Sequence, residues 1–431
     1  MLRARQPSGV RRLLAIVVLF AAACAQPVAA ATDWSPVVRP SSANNPRLVA
    51  VAADAGGDAA VAWVVAPGTR PDSAAARVAV RRGRSGAWSV RLLRSAAGLS
   101  VGGVALVVAP SGEVTVAWID QVGGGHPTVR AAFRTPEGRW SAVHAVGLAS
   151  PLHYAYPRLA VAADGTVALV YDAGIRLAPG MAVAWRRPGH SFGPIGAVPG
   201  GPLSEPTLAF DTSGRAFLAG TASCDNEYQS HGVVLTAPAW SHRFGRPRTI
   251  TPHPATEVRF ALTGTGEAIA AWLGAGCSTS ELLGGPVGAR RVTASGTGTL
   301  ETLAPAYAND LEMVSAPGGV DLTWTGYNGS AVALLVAHVD ADGTASAPQV
   351  PADGWMPIAG DAAGDQLLQT AVAQNFGPSR ALAARAANST AIEPSSLTGP
   401  GYWTAAGSPT GRTLIAAATL QGALQIATWT P

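Results

Sequence analysis

Leu159-Ala160-Val161-Ala162-Ala163-Asp164-Gly165-Thr166-Val167-Ala168-Leu169-Val170-Tyr171 places two short apolar runs on either side of Asp164-Gly165. An Asp-Gly or Ser-Gly pair between β-rich runs predicts a tight hairpin, because the turn needs a residue at positive φ. The same phrase recurs around Gly57, Gly112, Gly214, Gly266, Gly318, Gly364 and Gly411. Successive steps between the eight glycines are 55, 53, 49, 52, 52, 46 and 47 residues. Six residues after each stands Trp63, Trp118, Tyr171, Gly220, Trp272, Trp324, Thr370 or Ala417.

Working outward, a second hairpin follows in each unit. Arg77 to Trp88 and Val129 to Trp140 alternate charged and apolar residues, as on a half-exposed sheet. Two hairpins make four strands in about fifty residues, the period of a β-propeller blade. Small residues in the first hairpin suit a crowded axis, and the Trp or Tyr after it fills the gap between neighbouring blades. The expectation is all-β: one propeller of about eight four-stranded blades, with seven as the alternative. The last unit stops one strand short, and Asp33-Trp34-Ser35 matches the fourth-strand phrases Ala87-Trp88-Ser89 and Arg139-Trp140-Ser141. The N-terminal strand is therefore expected to complete the C-terminal blade and close the ring, leaving no exposed edge there.

The chain has 431 residues, and residues 1–31 read as a signal peptide. Arg3, Arg5, Arg11 and Arg12 precede an apolar run from Leu13 to Ala23, and small residues then offer a cleavage site. Residues 32–431 are left for the propeller. Ala21-Ala22-Ala23-Cys24 also resembles a lipobox, which would make Cys24 a lipid attachment point and the protein a surface-anchored one. All 30 basic residues are arginine, and removing the leader leaves 26 of them against 26 acids. That balance excludes a nucleic-acid-binding surplus, and no apolar run in the mature chain reaches membrane-span length. Abundant Ala, Gly and Pro with no Lys suggest a GC-rich bacterial source, and the leader a secreted, periplasmic or cell-surface protein. Cys224 and Cys277 lie 53 residues apart, in equivalent loops of neighbouring units. A disulfide between them is the reading favoured for an exported chain, with two free thiols as the alternative.

The repeat over nearly the whole mature chain resembles secreted bacterial β-propellers of the sialidase-like, BNR-repeat group. The outer turns Arg84-Ser-Gly-Ala-Trp88-Ser and Pro136-Glu-Gly-Arg-Trp140-Ser keep the Gly and Trp of that group's Asp-box, Ser-x-Asp-x-Gly-x-Thr-Trp, and lack its aspartate. The resemblance implies a propeller, and it implies a role for three arginines that open first strands: Arg47, Arg158 and Arg259. Converging at the channel mouth, they would clamp a carboxylate or sulfate, and the resemblance makes it a sugar carboxylate. Hydrogen bonds to backbone carbonyls or neighbouring acids, Glu312 beside Arg259 among them, are the structural alternative. Candidate acids on the same face are Asp120, Asp172, Glu205, Asp225, Glu227 and Glu257, with Tyr154, Tyr156 and Tyr228. The Asp225-Asn-Glu227-Tyr228 loop is the densest polar cluster. None of the eight histidines has metal-ligand spacing, and no phosphate loop or nucleophile elbow is present, so no metal or cofactor is expected. The reading is a non-catalytic binding or scaffold propeller for a glycan or extracellular protein. A sialidase-like glycoside hydrolase using the arginine cluster is the alternative, since propellers host both.

Overall fold

A computed structural model of the chain describes residues 34–35, 39, 46–65, 74–95, 99–150, 157–173, 180–222, 231–239, 241–263, 267–274, 285–328, 331–351, 355–361, 363, 365–370, 380–386, 393–399, 404–408, 412–420 and 423–429. These residues form strands and turns without a helix. The leader, Cys24, Cys224, Cys277, Asp225, Glu227 and Tyr228 lie outside the described residues.

Among the described residues, seven antiparallel sheets follow one another along the chain. The first holds β1 (Pro46–Ala53), β2 (Ala59–Val65), β3 (Ala75–Arg81) and β4 (Ser89–Ser95). The second holds β5 (Leu99–Val108), β6 (Val114–Val122), β7 (Thr128–Arg134) and β8 (His144–Leu148). The third holds β9 (Arg158–Val161), β10 (Val167–Ala173), β11 (Gly180–Arg186) and β12 (Gly196–Ala197). The fourth holds β13 (Leu203–Phe210), β14 (Ala216–Ala222), β15 (Gly232–Ala237) and β16 (Arg248–Thr249). The fifth has six strands: β17 (Ala255–Leu262), β18 (Ala268–Gly274), β19 (Gly285–Val292), β20 (Glu301–Ala316), β21 (Gly319–Asn328) and β22 (Ala331–Asp340). The sixth holds β23 (Trp355–Gly360), β24 (Gln366–Thr370), β25 (Arg380–Arg385) and β26 (Glu393–Gly399). The seventh holds β27 (Thr404–Gly407), β28 (Leu414–Leu420) and β29 (Ala423–Trp429). Successive four-stranded meanders of this kind are consistent with a β-propeller.

The six-stranded sheet departs from the expected four. Its cause is β20, 16 residues long, which pairs with β19 from Glu301 to Ala308 and with β21 from Asn309 to Ala316. Where other units break the chain between a fourth strand and the next first strand, this strand runs through and changes partner at a bulge.

At four of its positions the recurring glycine is seen to close the first hairpin. Gly57, Gly112, Gly165 and Gly214 have φ between 78° and 85°, and each donates its N–H to the carbonyl three residues back. In the third sheet Gly165 bonds Ala162, and Ala162 bonds Thr166, each at 2.8–2.9 Å. The aromatic that follows is core, as read. Trp63, Trp118 and Trp324 are fully buried, and Tyr171 and Trp272 nearly so.

Among the described residues, seven buried apolar clusters each join two sheets or two halves of a sheet that are neighbours in sequence, or the last with the first. Ala62 and Val78 meet Val116 and Trp118; Ala131 meets Leu169 and Tyr171; Val183 meets Leu218 and Leu235. Phe217 and Val234 meet Phe260 and Trp272, Ile269 meets Leu322 and Trp324, and Leu382 meets Leu414 and Trp429. The seventh joins Val61 and Trp63 of the first sheet to Ile415 and Ile426 of the last. The junction between β20–β22 and β23–β26 is spanned by none of the seven.

A two-bond clasp recurs at the outer edge. Ser141 donates its N–H to the Phe133 carbonyl at 2.8 Å, and its Oγ accepts the Phe133 N–H at 3.0 Å. Ser346 treats His338 the same way, at 2.8 and 2.9 Å. Ser35 treats Thr428 likewise, at 2.8 and 3.2 Å, beside a bridge between Trp34 and Trp429.

Candidate functional site

The first strands pack in succession: β1 on β5, β5 on β9, then β13, β17, β20, β23 and β27, with β27 on β1. Most carry a bulge near their start, the end away from the turn glycines. The bulges fall at Arg47/Ala50, Val101/Gly103, Ser204/Thr207, Ala255/Glu257, Asn309/Glu312 and Pro357/Ala359. A bulge re-aims side chains that a regular ladder would direct into the sheets. Two bulges hold a non-glycine residue in left-handed backbone, Glu205 at φ 45° and Asp310 at φ 55°. Such residues are costly and concentrate where chemistry or binding requires them.

Two of the predicted arginines do the same thing, each reaching to the next first strand. Arg158 donates from Nε to the Pro206 carbonyl at 3.0 Å, and Arg259 from Nε to the Leu311 carbonyl at 3.0 Å. Each carbonyl belongs to the residue after the left-handed one, on the next first strand round. Both arginines therefore fix the bulge of their neighbour. Arg47 lies at the β1 bulge, and its side chain is outside the described set.

Arg259 does more. Its Nη1 meets Glu205 at 2.9 Å and its Nη2 pairs with Glu257. Burial, countered by Arg259 and reinforced by Glu205 and Glu312, lifts Glu257 to about 6, while the Leu311 N–H donates to it. Burial also raises Glu312. Glu257 is 16% exposed and Glu205 64%, so one carboxyl on the guanidinium is enclosed and the other open to solvent. The result is an acceptor-rich cluster at the bulged starts of the first strands, in which Arg259 is engaged by Glu205, Glu257 and the Leu311 carbonyl.

Asp120 is buried on Arg130, 2.7 Å away, with Arg94 at 3.4 Å. Asp172 is buried at the end of β10. Tyr154 and Tyr156 lie outside the described residues. Asp310 was not among the sequence candidates: it becomes a site residue only through the bulge, which no spacing marks. Among the described residues no three His, Cys, Asp or Glu side chains stand close enough to hold a metal, and no helix is long and apolar enough to cross a membrane.

No protein-family model matches the chain, and no curated protein matches it. Similar solved structures include a polysaccharide lyase described as a PL25 ulvan lyase, with 9% identity, TM-score 0.46, and 73% of this chain and 89% of that one covered. A Hadza microbial sialidase shows 12% identity and TM-score 0.41, over 82% and 79% of the two chains. The β-propeller domain of the Trilobed protease from Pyrococcus furiosus shows 9% identity and TM-score 0.45, over 81% and 98%. At such distances no activity carries over.

Proposed function

We propose that the chain is an exported, non-catalytic β-propeller that binds its ligand at the mouth ringed by the first-strand bulges. The unit count under this reading is eight: β20 serves as the fourth strand of one blade and the first of the next. Trp34-Ser35 supplies the last outer strand and closes the ring. Export, by free secretion or through a lipid on Cys24, rests on the leader sequence, as does the Cys224–Cys277 disulfide.

One observation carries the binding reading. The guanidinium of Arg259 is held by Glu205, Glu257 and the Leu311 carbonyl, so it is committed to organising carboxylates. What faces solvent is Glu205, held by a strained backbone and an ion pair. A fixed, exposed carboxylate accepts hydrogen bonds from hydroxyl or amine donors. The ligand class is thus a neutral, hydroxyl-rich glycan or a donor-rich segment of an extracellular protein. A glycan array with the mature protein tests it. Binding to neutral glycans that falls at least ten-fold in Glu205→Ala is expected, and binding confined to sialylated glycans and unaffected by that change would sink the reading.

A second reading keeps the hydrolase. Glu257, raised to about 6, stands with exposed Glu205 on one guanidinium. A pair of carboxyls flanking one site is what glycosidic cleavage requires. Turnover of a fluorogenic sialoside or another glycoside at pH 5–6, abolished by Glu257→Gln or Arg158→Ala, would favour it.

A further inference from the structure

The one junction that no apolar cluster spans among the described residues is built differently. In the units before it the residue six after the turn glycine is Trp or Tyr in five of six cases; in β24 that register position is Thr370, opposite Trp355 of β23. Polar residues bridge the junction instead. Arg385 Nη2 donates to Gln366 Oε1, and Gln366 Nε2 donates to Asp321 Oδ2 at 2.6 Å. Asp321 Oδ1 meets His338 Nδ1 at 2.8 Å. Beside this relay opens a cleft of about 380 Å³, with Trp355, Val350 and Pro351 among its apolar walls and His338, Gln349 and Arg385 among its polar ones.

The chemistry of the cleft is lopsided. Both Asp321 oxygens are occupied within the relay, and His338 is held between Asp321 and Asp340. Arg385 spends one N–H on Gln366, and among the described residues it pairs with no carboxylate. A guanidinium with donors to spare, facing an apolar wall in a space that fits a small molecule, selects a ring with an anionic substituent. Ser346 Oγ accepts the backbone N–H of His338, which leaves its own proton for the ligand.

We propose that this cleft is a second ligand site, taking a sugar-sized ring that bears a carboxylate, with Arg385 on the anion and Trp355 and Val350 against the ring. It is independent of the mouth. Titration of the full mature protein with D-glucuronate and with D-glucose, followed by calorimetry, tests it. Glucuronate is expected to bind at least ten-fold tighter than glucose. Arg385→Gln should erase that preference. Val350 is 47% exposed, so Val350→Glu leaves the core untouched and should repel the anion, weakening glucuronate at least ten-fold with an unchanged melting temperature. Glu205→Ala should leave glucuronate binding unchanged, which separates this site from the mouth. Equal affinity for both sugars, no binding of either, or glucuronate binding indifferent to Val350→Glu would overturn the proposal.

Discussion

Glu205 and Asp310 stand in left-handed backbone that favours glycine, at φ 45° and 55°, and each precedes a carbonyl pinned by an arginine from the neighbouring first strand. The strain is held in place by those bonds. Titration belongs to this scale. Glu257 should show a midpoint near 6 in a carbon-detected NMR titration of its carboxyl group, and Arg259→Gln should move it upward, because Arg259 opposes the burial that raises it. Gly165 makes the contrasting case of a residue needed for its missing side chain. At φ 82° an added Cβ would stand 2.8 Å from Pro188 Cγ. Gly165→Ala should cost about 1–2 kcal/mol in chemical denaturation. The turn glycines were legible in sequence because positive φ admits few residue types. The mouth was only half legible: Arg158 and Arg259 were found by their position, yet their targets are backbone carbonyls, which carry no sequence signature.

Between elements, apolar clusters join most sheets and charge joins some of them. Arg186 of β11 is fully buried on Glu113 of the preceding sheet, with the Thr115 hydroxyl at 2.6 Å, the Gly189 N–H on Glu113 Oε2 at 2.9 Å, and the Phe133 ring 4.8 Å below the guanidinium. Removing one partner strands the other without solvent. Glu113→Ala should therefore lower unfolding stability by about 3–5 kcal/mol, and the apolar double change, Glu113→Leu with Arg186→Met, should recover most of it; urea denaturation of both variants measures this. The Trp and Tyr positions were readable as inter-sheet core from a fixed offset to the turn. The run-through of β20 was not, because nothing local to residues 301–316 distinguishes one long strand from two short ones. The polar junction beside β24 was visible only as a missing aromatic, Thr370.

For the whole molecule, several buried groups favour their protonated forms. Burial raises Asp361 to about 7 with help from Asp365, and Asp54 to about 6 with help from Asp58. Glu257 moves the same way, and the Asp321 hydrogen bond raises His338. A group whose folded value lies above its unfolded one contributes stability that is complete below the unfolded pKa, about 4 for the carboxyls and 6.5 for His, and that is lost as pH rises through the folded value. His144, lowered by burial, acts in the opposite sense and loses its contribution on acidification. The balance predicts a melting temperature that falls between pH 5 and pH 8, readable by calorimetry in low-salt buffer.

In the proposed ring of eight units, Trp34-Ser35 would close the last sheet against β29. Ser35 Oγ and Thr428 Oγ1 lie 2.6 Å apart, so sulfurs placed there come within bonding reach. The direct measurement is the oxidation of Ser35→Cys/Thr428→Cys in a background without the native cysteines, followed on a non-reducing gel. Spontaneous formation of a monomeric, fast-migrating, disulfide-closed species with a raised melting temperature is the result expected of a closed ring. Two thiols that stay freely reactive in the folded protein, or that link only different molecules, would contradict it.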